Sequence, residues 1–270
     1  MKPLILTTVT LALLFLLMPP GGSAQDQQPS PAANEKAEQI VQRGLKALGG
    51  DRYAQVKTQI GRGLFTEYHD GAPGIPTKFV DYIAYPDKER TEFMGGGART
   101  IQTNYRDGGW IYDGAALTIK DQTPAQLEEF KLTTRVTLEN LLRGWWHEGG
   151  AKLSYAGRRE ASIGRRNETV RLTYGDGFWV EYEFSADDGL PAKVVYQRHQ
   201  KSPDTDETEV IKEEDRLHKM VTIDGVMAPF VVDHYRNGTQ TSRIAYDTLE
   251  YNKVIADSLF AKPPNLKAVK

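Results

Sequence analysis

From about residue 60 to residue 251 the chain is a succession of short, aromatic-rich segments in which apolar and polar residues alternate, each closed by a turn signal. Alternation with period two puts every second side chain on one face of a strand, and short turns join neighbouring strands antiparallel. Residues 77–85 alternate and stop at Pro86-Asp87. Residues 100–105, 110–113 and 116–120 are separated by Asp107-Gly108-Gly109 and Asp113-Gly114, and 168–174 and 178–184 flank Gly175-Asp176-Gly177. The series continues through 192–198, 217–223, 227–235 and 241–251, punctuated by Asp188-Gly189, Asp224-Gly225 and Asn237-Gly238. Such pairs accept positive φ and so mark hairpins. A long meander of this kind builds a curved sheet whose buried face needs a cover, either a helix or an apolar ligand.

Two helical segments break the pattern. Asn34 is placed as an N-cap, Ala37, Ile40, Val41, Gly44, Leu45 and Leu48 form an i, i+3, i+4 stripe, and Gly49-Gly50 ends it. One amphipathic helix alone is unstable in water, so the stripe must dock on the sheet. Thr123-Pro124-Ala125-Gln126 carries the N-cap, N1 proline and N3 Gln of a capping box. Leu127, Phe130, Thr134, Leu138, Leu141, Leu142 and Trp145 then follow at roughly helical spacing up to Gly149-Gly150. The segment reads as one helix, or as two broken near Thr133-Thr134, where the residues are mediocre helix formers. It serves either as a core helix or as an apolar lid or plug ending at Trp145-Trp146.

The first 24 residues read as a secretory leader: Lys2, an apolar run over 11–18, and Gly22-Ser23-Ala24 before Gln25. That run is short of the roughly 20 residues needed to span a bilayer. The expected organisation is leader 1–24, flexible spacer 25–33, a single domain 34–264 and a tail 265–270, giving an exported, periplasmic or otherwise extracytoplasmic soluble protein. Cysteine is absent, so the core alone must stabilise the fold. With 34 Lys and Arg against 36 Asp and Glu, the balance offers no phosphate-neutralising surface, and no nucleic-acid partner is expected. Arg158-Arg159 and Arg165-Arg166 read as solvated hairpin charge.

Catalytic patterns fail one by one. His147-Glu148 lacks a second His at the fifth position, which is Ala151, and Gly149-Gly150 would break the helix that must present both ligands. Asp204, Asp206 and Thr208 mimic the start of a calcium loop, but Glu209 stands where the turn needs Gly. Gly61-x-Gly63 lacks its third glycine, and Gly95-Gly96-Gly97 opens no helix. A Gly-x-Ser-x-Gly elbow is missing. Glu181 and Glu183 share a strand face roughly 6.5–7 Å apart, near the lower end of the inverting-glycosidase separation, yet they read as the wet side of a half-buried strand. His69, His147, His199, His218 and His234 show no ligand spacing and no obvious carboxylate partner. No catalytic residue, metal site or cofactor is expected.

Three local patterns occur in an informative order. Tyr85-Pro86-Asp87 precedes Arg90-Thr91-Glu92-Phe93, Asp107-Gly108-Gly109-Trp110-Ile111-Tyr112 opens a strand, and Ala256-Asp257-Ser258-Leu259-Phe260-Ala261-Lys262-Pro263-Pro264 closes the chain. With the leader, the single N-terminal helix and the mid-chain helices, they resemble the periplasmic outer-membrane lipoprotein carrier superfamily, LolA-like and LolB-like. Its counterparts are a proline-marked strand corner, an Asp-Gly-x-x-aromatic strand start and a closing Asp-x-x-x-Phe-x-x-Pro-Pro, here one residue shorter before the Phe. The resemblance spans most of the chain after the leader.

The resemblance implies a mainly β fold with some α: an unclosed antiparallel β half-barrel with an N-terminal helix and a mid-chain helical lid or plug. It also implies a cavity between half-barrel and helices that binds a lipid, an acyl chain or a lipoprotein acyl chain. Dedicated carriers place a functional Arg before the corner proline, where this chain has Tyr85, and the chain is longer than they are, with extra residues in stretches such as 200–216. The residues expected to face the ligand are Phe79, Ile83, Leu138, Leu142, Trp145, Trp146, Val170, Leu172, Phe178, Val180, Tyr182, Phe184, Val194 and Tyr196. Other readings are an envelope sensor or interaction module with a protein partner, and an enzyme with an unrecognised site.

Overall fold

The computed structural model describes residues 31–201 and 207–269. The leader, its cleavage site, most of the spacer, Asp204 and Asp206 lie outside them. Helices α1 (Pro31–Ala47) and α2 (Asp51–Ala54) precede β1 (Thr58–His69), β2 (Ala72–Pro73), β3 (Thr77–Ala84), β4 (Lys88–Gly95), β5 (Ala98–Tyr105), β6 (Gly108–Asp113) and β7 (Thr118–Asp121). Next come α3 (Pro124–Val136), α4 (Leu138–Leu142) and a 3-10 turn, Trp145–His147. The chain continues through β8 (Lys152–Ser162), β9 (Arg165–Thr173), β10 (Trp179–Ser185), β11 (Pro191–Lys201), β12 (Thr208–Ile223), β13 (Val226–Arg236) and β14 (Thr239–Tyr251).

These form one 14-stranded antiparallel sheet, ordered β7-β6-β5-β4-β3-β1-β14-β13-β12-β11-β10-β9-β8, with β2 attached to β1. The edges β7 and β8 do not pair, so the sheet curves without closing. Its order explains the helical insertion. The first half winds from β1 out to one edge and the second returns from the opposite edge to β1, so the chain between Asp121 and Lys152 must cross from edge to edge. It crosses the concave face: the Tyr182 hydroxyl on β10 reaches the Thr137 carbonyl at 3.3 Å, and on the other side Tyr53 donates to Glu139 at 3.1 Å.

Helix α1 covers the β8–β10 part of the concavity. Ala37, Val41 and Leu48 are buried, Arg43 donates to the Ala186 and Asp187 carbonyls, and the Leu48 carbonyl accepts from Met227 N. The helix already runs from Pro31, so Asn34 lies inside it rather than at its cap. Proline suits a first turn and Ala32 and Ala33 are strong helix formers, which carries helix into the end of the expected spacer.

In the insertion, Thr123 and Gln126 form the expected capping box. The break falls at Thr137, not at Thr133-Thr134. Those two hydroxyls donate back to the Glu129 and Lys131 carbonyls and remain helical. Thr137 is extended (φ −61°, ψ 152°) and its hydroxyl caps α4 by accepting from Asn140 N.

The convex face corrects the reading of Glu181 and Glu183 as a wet surface, since both are only 4% exposed. Arg171 and Arg159 donate to Glu181 at 2.6 and 2.8 Å, and Asn167 donates to Glu183 at 2.9 Å. Glu214 accepts from Arg216 at 2.5 Å, and Asp233 from Arg243 at 2.5 and 2.8 Å. Long cationic side chains lie over the carboxylates and keep their own charge in water, so alternation correctly divides the strand faces but not their burial. For Glu214 and Asp233 burial alone would raise the pKa, but the arginine bonds outweigh it and hold both below the ordinary range. At the other end of this face the C-terminal segment straps the sheet: Trp110 Nε1 donates to the Phe260 carbonyl at 2.9 Å and Arg90 to that of Leu259 at 2.8 Å.

Candidate functional site

Between the sheet and the insertion lies a cavity of about 260 Å³. Leu48, Leu138, Val194, Leu217, Val226 and Leu249 supply apolar wall, and Tyr53, Tyr246 and Tyr251 supply rings. A smaller cavity of about 110 Å³ adjoins it, bounded by Phe130, Trp145 and Glu89, and the two share Ile83, Tyr85, Thr133, Thr137 and Glu139.

Gly61 and Gly63 shape the β1 side of this space. A β-carbon on Gly61 would stand 2.6 Å from the Tyr246 ring, and one on Gly63 would stand 2.1 Å from the Ala245 carbonyl oxygen. Gly61 thus seats the Tyr246 ring and Gly63 admits the close-lying β14 backbone, so the pair serves strand packing rather than a phosphate loop.

Arg143 closes the cavity at the helical side. Its guanidinium lies 4.2 Å from the Tyr85 ring centroid and 5.3 Å from those of Tyr53 and Trp145. Nη1 donates to the Val56 carbonyl, while Nε is buried without a partner. Tyr85 and Trp145 contact ring to ring at 5.9 Å. Burial pushes the Tyr53 and Tyr85 hydroxyls up, so both stay protonated donors.

The expected ligand-facing residues separate into groups. Ile83, Leu138 and Val194 line the larger cavity, and Ile83 and Trp145 line the smaller one. Val170, Leu172, Val180, Tyr182 and Phe184, with Leu142, form close-packed core under the helices. Phe178 and Tyr196 contact each other beside Tyr174, with Arg135 over the Phe178 ring. Phe79 packs on Phe93 and Tyr246. Trp146 stacks on His147, donates to the Leu141 carbonyl and faces an outer cleft.

Sequence reading missed Tyr53, Gln59, Tyr85, Glu139, Arg143, Asp215, His234, Tyr246 and Tyr251 as lining residues. A register shift between Arg62 and Gly63 brings both Leu249 and Tyr246 inward, an interval of three that alternation does not reveal. Glu139 and Arg143 are spaced i, i+4 at the foot of the insertion, a pattern that was available.

Two histidines do have carboxylate partners. His234 Nδ1 donates to Asp215 at 2.6 Å, and His218 lies 3.6 Å from Asp233. Burial alone would lower the His234 pKa, but Asp215 outweighs it and the net shift is upward. The carboxyl groups on the concave side of β3 and β4 move up too. Burial raises Asp81 well above the carboxylate range, with Glu89 adding to it, and burial pushes Glu89 up to about 7.

The architecture is that of an unclosed antiparallel half-barrel with its own helices across the concavity. No family model matches the chain, and no curated protein matches it in sequence. Solved structures do match it. A DUF1329 family protein from Desulfovibrio piger is 12% identical with a TM-score of 0.57, covering 85% of this chain and 97% of that one. A LolA superfamily protein from Nitrosomonas europaea is 13% identical with a TM-score of 0.54, covering 84% and 97%. A domain described as outer-membrane lipoprotein-sorting, from Vibrio parahaemolyticus, is 10% identical with a TM-score of 0.53, again covering 84% and 97%. The fold is therefore the LolA-like one. Among the described residues no helix is long and apolar enough to cross a membrane.

Proposed function

We propose that this chain is an exported carrier or chaperone that holds an acyl chain, of a lipid or of a lipid-modified protein, between its half-barrel and its mid-chain helices. One observation carries the reading: the helices cover an apolar-walled cavity of about 260 Å³ instead of filling it. That volume is close to the lower end of the roughly 300–1,000 Å³ range of ligand pockets, so it suits a chain segment rather than a bulky ring system. The fold shared with a lipoprotein-sorting domain supports the same reading, and the leader-like first 24 residues support export.

The test is organic extraction of natively purified mature chain followed by mass spectrometry, together with titration of delipidated protein by a fatty acid and a phospholipid. Co-purified acyl lipid and a shift in tryptophan emission, reporting Trp145 in the adjoining smaller cavity, are expected. A lipid-free extract together with no binding of either probe overturns the proposal in favour of a protein-partner role.

A further inference from the structure

The convex face of β10, β12 and β13 and the β3–β4 part of the concave face treat their carboxyl groups differently, while elsewhere in the concavity Glu168, Glu213 and Asp215 do meet basic side chains. On the convex face Glu181, Glu214 and Asp233 each meet an arginine. On the concave face Asp81 accepts only from the Thr91 hydroxyl, at 2.9 Å, and no basic side chain among the described residues forms an ion pair with Asp81 or Glu89. Lys88, next to Glu89 in sequence, is engaged with Asp257 at 2.8 Å.

Glu89 faces the 110 Å³ cavity, whose walls include Tyr85, Phe130 and Trp145. Its register partner on β5 is Asn104, and directly paired residues stand on the same face of a sheet. Asn104 is 3% exposed and its Oδ1 has no donor. On the next strand Gly109 pairs with Asn104, and Gln122 lies over it, since a β-carbon there would come 2.7 Å from Gln122 Cδ. Gln122 is 7% exposed and donates Nε2 to the Thr103 carbonyl, while its Oε1 also lacks a donor. This part of the sheet therefore sets acceptors without donors, a carboxyl group and two amide oxygens, beside a cavity walled by rings. Unmade bonds at buried acceptors are costly, and the complement of such a set is a cation rich in N–H donors, which aromatic faces also attract.

We propose that the smaller cavity receives the primary ammonium group of an amphiphile, bonded by Glu89 with Asn104 and Gln122 behind it, while the chain of that amphiphile runs into the larger cavity. The inference rests on the carrier reading and narrows it to amine-headed ligands. The two cavities adjoin through shared lining residues, so a molecule bound in one lies next to the other, and Glu139, which borders each, adds a second carboxylate. Arg143 forms no ion pair with Glu89 among the described residues: its Nη1 donates to the Val56 carbonyl and its plane lies against the three rings. The upward shift at Glu89, to about 7, fits a carboxyl group that is part-protonated at rest and ionises fully when an ammonium arrives.

The test is calorimetric titration of the delipidated mature chain at pH 7 with dodecylamine, dodecanol and dodecanoic acid, each below its solubility or micellar limit. Dodecylamine should bind about tenfold or more tightly than dodecanol, as a charge-assisted bond predicts. Glu89→Gln should cut that amine-to-alcohol ratio about tenfold, and Asn104→Ala should cut it severalfold. The ratio is read within each variant, so a general loss of fold does not imitate the effect. Equal affinity for amine and alcohol, a preference for the acid, or an unchanged ratio in Glu89→Gln overturns the ammonium site and leaves the carrier reading standing. Failure of all three probes to bind overturns both.

Discussion

The ring of Phe184 fills the space that a β-carbon on Gly44 would need: such an atom would lie 2.5 Å from Phe184 Cε1. A glycine inside a helix costs about 0.5–1 kcal/mol relative to alanine, and here it lets α1 sit directly on β10. The β8–β10 part of the concavity is thereby closed by α1, and the cavity lies between the insertion and strands β1, β3 and β11–β14.

Gly44→Val should destabilise by about 2–4 kcal/mol, because the added carbons must displace either Phe184 or the helix. Gln39→Ala, exposed on the same helix, should change stability by less than about 0.5 kcal/mol. Urea denaturation midpoints of the two variants test this, and equal midpoints would mean that α1 does not bear on the core.

Glu89 makes a pH prediction of definite sign. Its folded pKa, about 7, lies above the ordinary 4.5, so between those values the unfolded chain releases a proton that the folded chain keeps. Glu89 therefore costs nothing at low pH, and stability falls as pH rises from about 4.5 to about 7, then levels. Glu89→Gln removes this slope. The variant and the wild type should differ least at pH 4, and from pH 4 to pH 8 the variant should gain on the wild type by up to about 3 kcal/mol. Denaturant melts across that range provide the check, and parallel curves would show that the carboxyl group is not held in a low-dielectric site.

Period-two alternation and Gly-containing turns suffice for most hairpins, and Thr123 to Gln126 declares the start of the insertion. Residues 152–162 were harder, since Arg158, Arg159 and Glu160 on an edge strand show no apolar alternation. The cavity lining was less legible still. Val170, Val180 and Tyr182 look like pocket wall because they are apolar and share a face, but where α1 and α4 dock on that face is a tertiary fact. Tyr246 and Leu249 escaped because a bulge changes their spacing, and Glu181 was misjudged because Arg171 and Arg159 shield it from other strands.

Glu181 then supplies a corrected expectation. Replacement by Gln should cost about 1–3 kcal/mol, since charge-assisted bonds to Arg171 and Arg159 become neutral ones. The arginines are themselves partly exposed and can return to water, which keeps the loss below that of a fully buried pair. Arg159→Ala combined with Glu181→Gln in a double-mutant cycle measures the coupling, and strictly additive effects would show that Glu181 and Arg159 do not interact.

Arg143 ties the insertion to the rest of the cavity wall, reaching from just beyond α4 to the Val56 carbonyl and the rings of Tyr53, Tyr85 and Trp145. Arg143→Ala removes a bond and a stacked plane together, leaving the 138–147 segment held by α1, by the Tyr53 bond to Glu139 and by the Asn140 bond to Tyr174. Its amides should exchange faster with solvent, and an acyl probe should dissociate about tenfold faster, equivalent to about 1.4 kcal/mol. Arg143→Lys should recover little, because a lysine ammonium cannot stack as a flat guanidinium does. Stopped-flow displacement of a fluorescent fatty acid from the three proteins decides the matter. Full recovery by lysine would reduce the role of Arg143 to its charge, and unchanged dissociation in Arg143→Ala would show that the insertion does not gate the cavity.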